Sequence, residues 1–116
     1  MEKSKKLIID QCENDFPQST AEFRSVLEEM YELFAKKQND YGPGNIAMGT
    51  MLETEEEIRM SLMGIIVRMN DKINRLINLV VKKNKKPENE SVIDSFIDIG
   101  NYSVMARILL ERKWGK

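Results

Sequence analysis

Three carboxylates recur at intervals of four residues in the stretch ESVIDSFIDIGNY, which covers residues 90 to 102. Placed on a helix, Glu90, Asp94 and Asp98 share one sector, which also includes Asn101, and apolar residues border that sector on both sides. Partly buried carboxylates repel one another and lose hydration, so such a row needs cations. The pattern predicts either a metal site or a structural network of salt bridges with a neighbouring helix.

A basic stripe precedes this acidic row in the chain. Arg68, Lys72 and Arg75 follow one another at intervals of four and three, which places them on one face of a helix. They can neutralise the carboxylates directly. They can also bind phosphate groups, because phosphate sites often combine arginine and lysine with a metal. The sequence leaves both interpretations open.

Two further segments carry candidate site residues. The segment QNDYGPGNIAMGTM contains a tight glycine-proline turn, with Tyr41 as a ring that can stack on a base and Asn45 as a hydrogen-bonding amide. An ordinary helix stop is the alternative interpretation of this turn. Glu29 and Glu32 lie three residues apart and so share a helix face, although that face extends toward Lys36 and solvent.

The composition limits the chemistry and the partners. The 116 residues include no histidine, so a metal would need oxygen ligands, which indicates Mg²⁺ or Mn²⁺. A formal net charge of −1 provides no basic field, and we expect no direct nucleic-acid binding. The single cysteine, Cys12, fits a reducing compartment, and no stretch reaches the ~20 apolar residues of a membrane span. We expect a cytoplasmic protein that does not enter the membrane.

Apolar periodicity predicts an all-α fold. The expected helices are a short one around Leu7 to Cys12, one from Ser19 to the Gly42-Pro43 turn, one from Thr54 through the lysine-rich segment, and one from about Glu90 to Lys113. Ser19 with Glu22, and Thr54 with Glu57, have the spacing of capping boxes, which mark helix starts. We therefore expect a bundle of three main helices with a short N-terminal helix, in a single domain that spans residues 1–116.

The last predicted helix also indicates self-association. It carries apolar residues on nearly every side, namely Ile93, Phe96, Ile97, Ile99, Val104, Ile108, Leu109 and Leu110. Two neighbouring helices within one thin bundle cannot cover all of them. We expect a homo-oligomer, a dimer or a higher assembly, in which a second subunit completes the bundle.

Three segments together carry a family resemblance. QNDYGPGNI, RMNDKINRLINL and ESVIDSFIDIGNY, in this order and with these separations, resemble the family called nucleotide modification associated domain 1, small proteins common in bacteriophages. The resemblance covers about residues 25 to 110. More distantly, the arrangement is similar to the MazG-like and dimeric dUTPase group of all-α nucleoside triphosphate pyrophosphatases. A phage protein of this kind would act in the cytoplasm of the host cell.

The resemblance implies a Mg²⁺-dependent enzyme that hydrolyses the α,β-phosphate bond of a nucleoside triphosphate. In the MazG-like group, acidic residues on two helices hold the metal. Glu29 and Glu32 match the ExxE motif of that group, so the resemblance implies metal binding by Glu90, Asp94 and Asp98 together with one of these two glutamates, and Glu29 or Glu32 would orient the attacking water. In such an enzyme we expect Arg68, Lys72 and Arg75 to bind phosphates, and Tyr41, Asn45 and Asn101 to contact base or sugar.

One motif departs from that group. The group typically has ExxD in its second acidic motif, whereas Glu90, Asp94 and Asp98 are spaced by four. The alternative is therefore a non-catalytic protein that binds a nucleotide, for instance one that sequesters a host signalling nucleotide, and a purely structural set of salt bridges is a third interpretation. If Asp98 serves a ligand site, we expect Asp98→Asn to melt no lower than the parent, because carboxylate crowding is relieved.

Overall fold

The computed structural model describes residues 2–116, and within them all regular secondary structure is helical. The elements are α1 (Glu2–Asp15), α2 (Pro17–Tyr41), α3 (Gly44–Ala47), α4 (Glu55–Leu76), a π-helical continuation of α4 (Ile77–Lys82) and α5 (Val92–Leu110). The prediction of an all-α fold is confirmed. Within the same residues, no helix combines the length and the apolar character needed to span a membrane.

The chain divides into two compact units, one of residues up to Leu33 and one from Phe34 to Lys116. The first unit holds α1, which is longer than the short helix expected, and the start of α2. That start is at Pro17, not at Ser19, so the predicted capping box at Ser19 is wrong. Proline suits the first helical position because its missing N–H would have no intrahelical partner there. The single domain over residues 1–116 stays a prediction.

The second unit contains the buried core. One cluster of its buried residues consists of Ile46, Ile58, Ile65, Met105, Leu109 and Trp114, which come from α3, α4, α5 and the C-terminal segment. The helices α4 and α5 pack against each other, and α3 packs against α4. The hydroxyl of Ser61 donates a 2.6 Å hydrogen bond to the carbonyl oxygen of Ile46, which ties the short α3 to the middle of α4.

Helix α4 begins as the sequence predicts. The hydroxyl of Thr54 accepts a hydrogen bond from the backbone N–H of Glu57, and the Glu57 carboxylate accepts one from the backbone N–H of Thr54. The reciprocal pair satisfies two donors that a helix start leaves open. Hydrogen bonds from the backbone N–H groups of Thr54 and Glu53 lower the pKa of Glu57, because they favour the charged form.

Helix α5 is shorter than expected at both ends. Ser91 is its N-cap, and the Ser91 hydroxyl accepts a hydrogen bond from the backbone N–H of Asp94. The helix ends at Leu110. Glu90 therefore lies before the helix and not on it, which changes its relation to Asp98.

Candidate functional site

A cleft of about 290 Å³ lies in the second unit, where the end of α2, the turn after it, α4 and α5 meet. Five of the residues predicted to form a site line this cleft: Tyr41, Asn45, Arg68, Asp98 and Asn101. They come from four parts of the chain, and the fold places a ring, two amides, a guanidinium and a carboxylate around one space.

Hydrogen bonds to its backbone stabilise the turn between Tyr41 and Asn45. The backbone N–H of Gly42 donates to the Gln38 carbonyl at 2.8 Å, which ends α2, and Gly42 has a φ of +64° that glycine adopts without strain. The indole Nε1 of Trp114 donates to the Pro43 carbonyl at 3.0 Å. Trp114 of the C-terminal segment thus anchors the turn, while Tyr41 stays exposed at the cleft.

Arg68 joins this turn to α4. Its Nη2 donates a 3.0 Å hydrogen bond to the backbone carbonyl oxygen of Asn45, and the side chain is half-buried. A guanidinium has five N–H donors, so one bond to a carbonyl leaves donors that can be directed at a ligand. Of the predicted basic stripe, Arg68 is the residue that lines the cleft.

Lys72, one turn further along α4, contacts carboxylates. Its Nζ lies 2.7 Å from a carboxylate oxygen of Glu90 and 3.1 Å from Oδ2 of Asp98. The hydrogen bond to Glu90 raises the pKa of Lys72, with a further contribution from Asp98, and partial burial opposes the shift. Oδ1 of Asp98 lies 3.3 Å from Nζ of Lys37, so two ammonium groups flank this carboxylate.

Arg75 anchors the segment before α5. Its guanidinium donates to the hydroxyl of Ser95 at 2.6 Å and to the backbone carbonyl of Glu90. The Ser95 hydroxyl, which is fully buried, in turn donates to the Glu90 carboxylate at 3.2 Å. The guanidinium of Arg75 therefore has partners within the protein, and phosphate binding by Lys72 and Arg75 stays a prediction.

The predicted acidic row is only partly assembled. Glu90 and Asp98 meet at Lys72, whereas Asp94 is exposed in the first turn of α5. Among residues 2–116, no three Asp, Glu or Cys side chains converge in a group that could hold a metal ion. As placed, these residues do not fit a divalent metal, because lysine occupies the oxygens that a metal would use.

The predicted catalytic glutamates belong to the other unit. Glu29 and Glu32 lie on α2 within the first unit, and both are exposed. Their role in orienting a water molecule stays a prediction.

Sequence reasoning missed four residues of the cleft: Phe34, Lys37, Tyr102 and Met105. A local signal existed for Lys37 and Tyr102. Lys37 precedes Tyr41 by one helical turn, and Tyr102 follows Asp98 by one turn, so each shares a helix face with a predicted site residue. No local signal pointed to Phe34, whose ring lies edge-on to Trp114 with centroids 6.1 Å apart.

Comparison with known proteins gives one match. The family model of nucleotide modification associated domain 1 matches residues 37–110, which include every residue predicted to form the site except Glu29 and Glu32. No curated protein and no solved structure matches the chain significantly.

Proposed function

The chain belongs to the nucleotide modification associated domain 1 family, and on that premise we propose that it binds a nucleotide or a nucleotide-derived small molecule in the cleft described above, which we therefore call the nucleotide cleft. The observation that carries the proposal is the combination of aromatic rings, amides and cations around one space of about 290 Å³. A nucleotide has an aromatic face, polar edges and anionic phosphates, so it requires these three kinds of group together.

Each part of the cleft suits one part of such a ligand. The rings of Tyr41 and Tyr102 offer faces for a base, and stacking of this kind contributes about 1–3 kcal/mol per base in single-stranded nucleic-acid complexes. Arg68 and Lys37 offer cationic donors for phosphate oxygens. Asn101 offers an amide that can both donate and accept, as a base edge or a ribose hydroxyl requires.

Binding without cleavage is the better supported form of this function. Hydrolysis by the predicted mechanism needs carboxylates that are available to Mg²⁺, and those of Glu90 and Asp98 are paired with lysine. One observation favours the hydrolase as a second candidate, since Asp98 lines the same cleft and a rearrangement of both Lys72 and Lys37 would release its carboxylate. Sequestration of a nucleotide is therefore the first candidate function, and the predicted pyrophosphohydrolase is the second.

Titration calorimetry with a panel of ligands tests the proposal. Nucleoside mono-, di- and triphosphates and cyclic dinucleotides are titrated in EDTA and, separately, in Mg²⁺, and the ligand is then recovered and analysed by mass spectrometry. We expect saturable binding of at least one of them that EDTA leaves unchanged, with the ligand intact. Release of pyrophosphate that Asp98→Ala abolishes would establish the hydrolase instead. Absence of binding across the panel would contradict both candidates.

A further inference from the structure

The ammonium group of Lys72 occupies a position between two carboxylates. It lies 2.7 Å from the nearer Glu90 oxygen and 3.1 Å from Oδ2 of Asp98, and its side chain is 22% exposed. Two carboxylates from separate parts of the chain, brought within hydrogen-bond distance of one cation, resemble the oxygen ligands with which proteins hold a divalent metal. In this protein the cation is a side chain.

We propose that Lys72 is a built-in substitute for a divalent metal, and that the site formed with Glu90 and Asp98 is therefore independent of metal. The proposal that Lys72 takes the place of a metal does not depend on which ligand the protein binds. Its consequence for ligand binding, namely that binding in the nucleotide cleft needs no Mg²⁺, rests on the proposed function.

Charge balance supports the substitution. Glu90 and Asp98 contribute two negative charges, and Lys72 and Lys37 contribute two positive charges within 3.3 Å of them. The four groups together carry no net charge, so they give little electrostatic attraction to Mg²⁺. A metal would also have to displace charge-assisted hydrogen bonds, which are the strong ones.

The surroundings hold Lys72 and its partners in this geometry. The Glu90 oxygen that binds Lys72 also accepts a hydrogen bond from the buried hydroxyl of Ser95, and Arg75 binds the backbone carbonyl of Glu90. Ser95 of α5 and Arg75 of α4 thus position Glu90 between these two helices. Asp98, with its side chain 15% exposed, is held between Lys72 and Lys37.

The arrangement also separates two tasks among the basic residues. Lys72 balances carboxylates, whereas Arg68 lines the nucleotide cleft. Lys37 does both, because its Nζ contacts Asp98 while its side chain is 46% exposed. An anionic ligand therefore meets one cation, Lys37, whose charge Asp98 already offsets in part, and this favours a modest ligand charge over a fully ionised triphosphate.

Binding of Mn²⁺ without nucleotide tests the proposal, with paramagnetic resonance of free Mn²⁺ as the readout. Three proteins are compared: the parent, Lys72→Met, which keeps the chain length but removes the charge, and Lys72→Arg, which keeps the charge. We expect no saturable binding to the parent or to Lys72→Arg. We expect Lys72→Met to bind one Mn²⁺ per chain in a saturable way.

Three outcomes would overturn the proposal: saturable Mn²⁺ binding by the parent that Asp98→Asn removes, tight Mn²⁺ binding by Lys72→Arg, or no gain of binding in a folded Lys72→Met. Asp94→Asn is the matched control, since Asp94 is exposed and lies outside the Lys72 contacts. If Lys72→Met does not fold, the parent titration decides alone. Saturable binding that Asp98→Asn removes then contradicts the proposal, and no saturable binding supports it. The assay contains no nucleotide, so its failure is distinguishable from failure of the proposed function.

Discussion

Nη2 of Arg68 donates a hydrogen bond of 3.0 Å to the backbone carbonyl oxygen of Asn45, which fixes the turn after α2 against the middle of α4. The contact joins residues 23 positions apart and places a cation beside the residues that precede α4. The same side chain lines the nucleotide cleft. Arg68 is thus both a support of the site and a candidate contact for phosphate.

We predict that Arg68→Gln weakens both stability and nucleotide binding. Loss of the charged hydrogen bond should lower the free energy of unfolding by about 1–3 kcal/mol. Loss of the cation should weaken binding of a phosphorylated ligand by roughly tenfold or more, as one charge-assisted contact is removed. Urea unfolding and calorimetry measure the two effects. Arg59→Gln is the control, because Arg59 is an exposed arginine on the same helix, and an equal effect there would contradict the assignment.

The ion pairs of Asp98 reverse the expectation, drawn from the acidic row alone, that Asp98→Asn melts no lower than the parent. Asp98→Asn removes the charge that Lys37 and Lys72 share, at a side chain that is 15% exposed. We now expect this variant to be less stable than the parent by about 1–3 kcal/mol, because it leaves a partly buried ammonium with one carboxylate partner. Thermal melting of the ligand-free proteins measures the change. Asp94→Asn should be nearly neutral, and a parent-like melting temperature for Asp98→Asn would favour the original expectation.

The capping box at the start of α4 makes the free energy of unfolding depend on pH in the acidic range. The folded pKa of Glu57 is lowered from its usual value of 4.5, so the unfolded chain binds a proton more readily. The contribution of Glu57 is therefore complete above pH 4.5 and disappears as the pH falls through the lowered folded value. Comparison of urea midpoints for the parent and Glu57→Gln should show a difference at neutral pH that vanishes in acid. Glu56→Gln, at the exposed neighbouring position, should show no such trend.

Trp114 is expected to stabilise the turn and the cleft together. Its ring is 7% exposed, and its Nε1 binds the Pro43 carbonyl. Trp114→Ala should lower the free energy of unfolding by about 3–5 kcal/mol, the usual cost of removing a large buried ring. Trp114→Phe, which keeps a ring but loses the donor, should cost about 1 kcal/mol. Circular dichroism during urea unfolding distinguishes the two, and equal losses would show that ring packing contributes little.

Exposed apolar side chains support the prediction of self-association. On α5, Ile93 is 68% exposed, Phe96 59%, Val104 53% and Leu110 60%. Exposure of this extent is costly in water and is typical of a surface covered by a partner. We expect light scattering at micromolar concentration to give at least twice the chain mass of 13.5 kDa. Phe96→Glu should lower that mass. Asn70→Glu, which adds the same charge on α4, should leave it unchanged, and a monomer mass for the parent would contradict the prediction.

The sequence by itself determined the features that depend on short stretches of chain. Apolar periodicity determined the helical class, and the Thr54 and Glu57 pair determined the start of α4. Such signals are reliable because the interacting groups lie within one turn of each other. The same local reasoning failed at Pro17, where the proline sets the helix start two residues before the serine that looks like a cap.

Only the tertiary structure decided which charges meet. The acidic row was expected to act as three carboxylates on one helix, but Glu90 lies before α5 and joins Asp98 at Lys72. Lys37 and Asp98 are 61 residues apart, and Trp114 and Pro43 are 71 apart. Contacts of that range depend on how helices pack and on where each helix begins. Periodicity along one helix specifies which face is apolar, but it does not specify which other element covers that face.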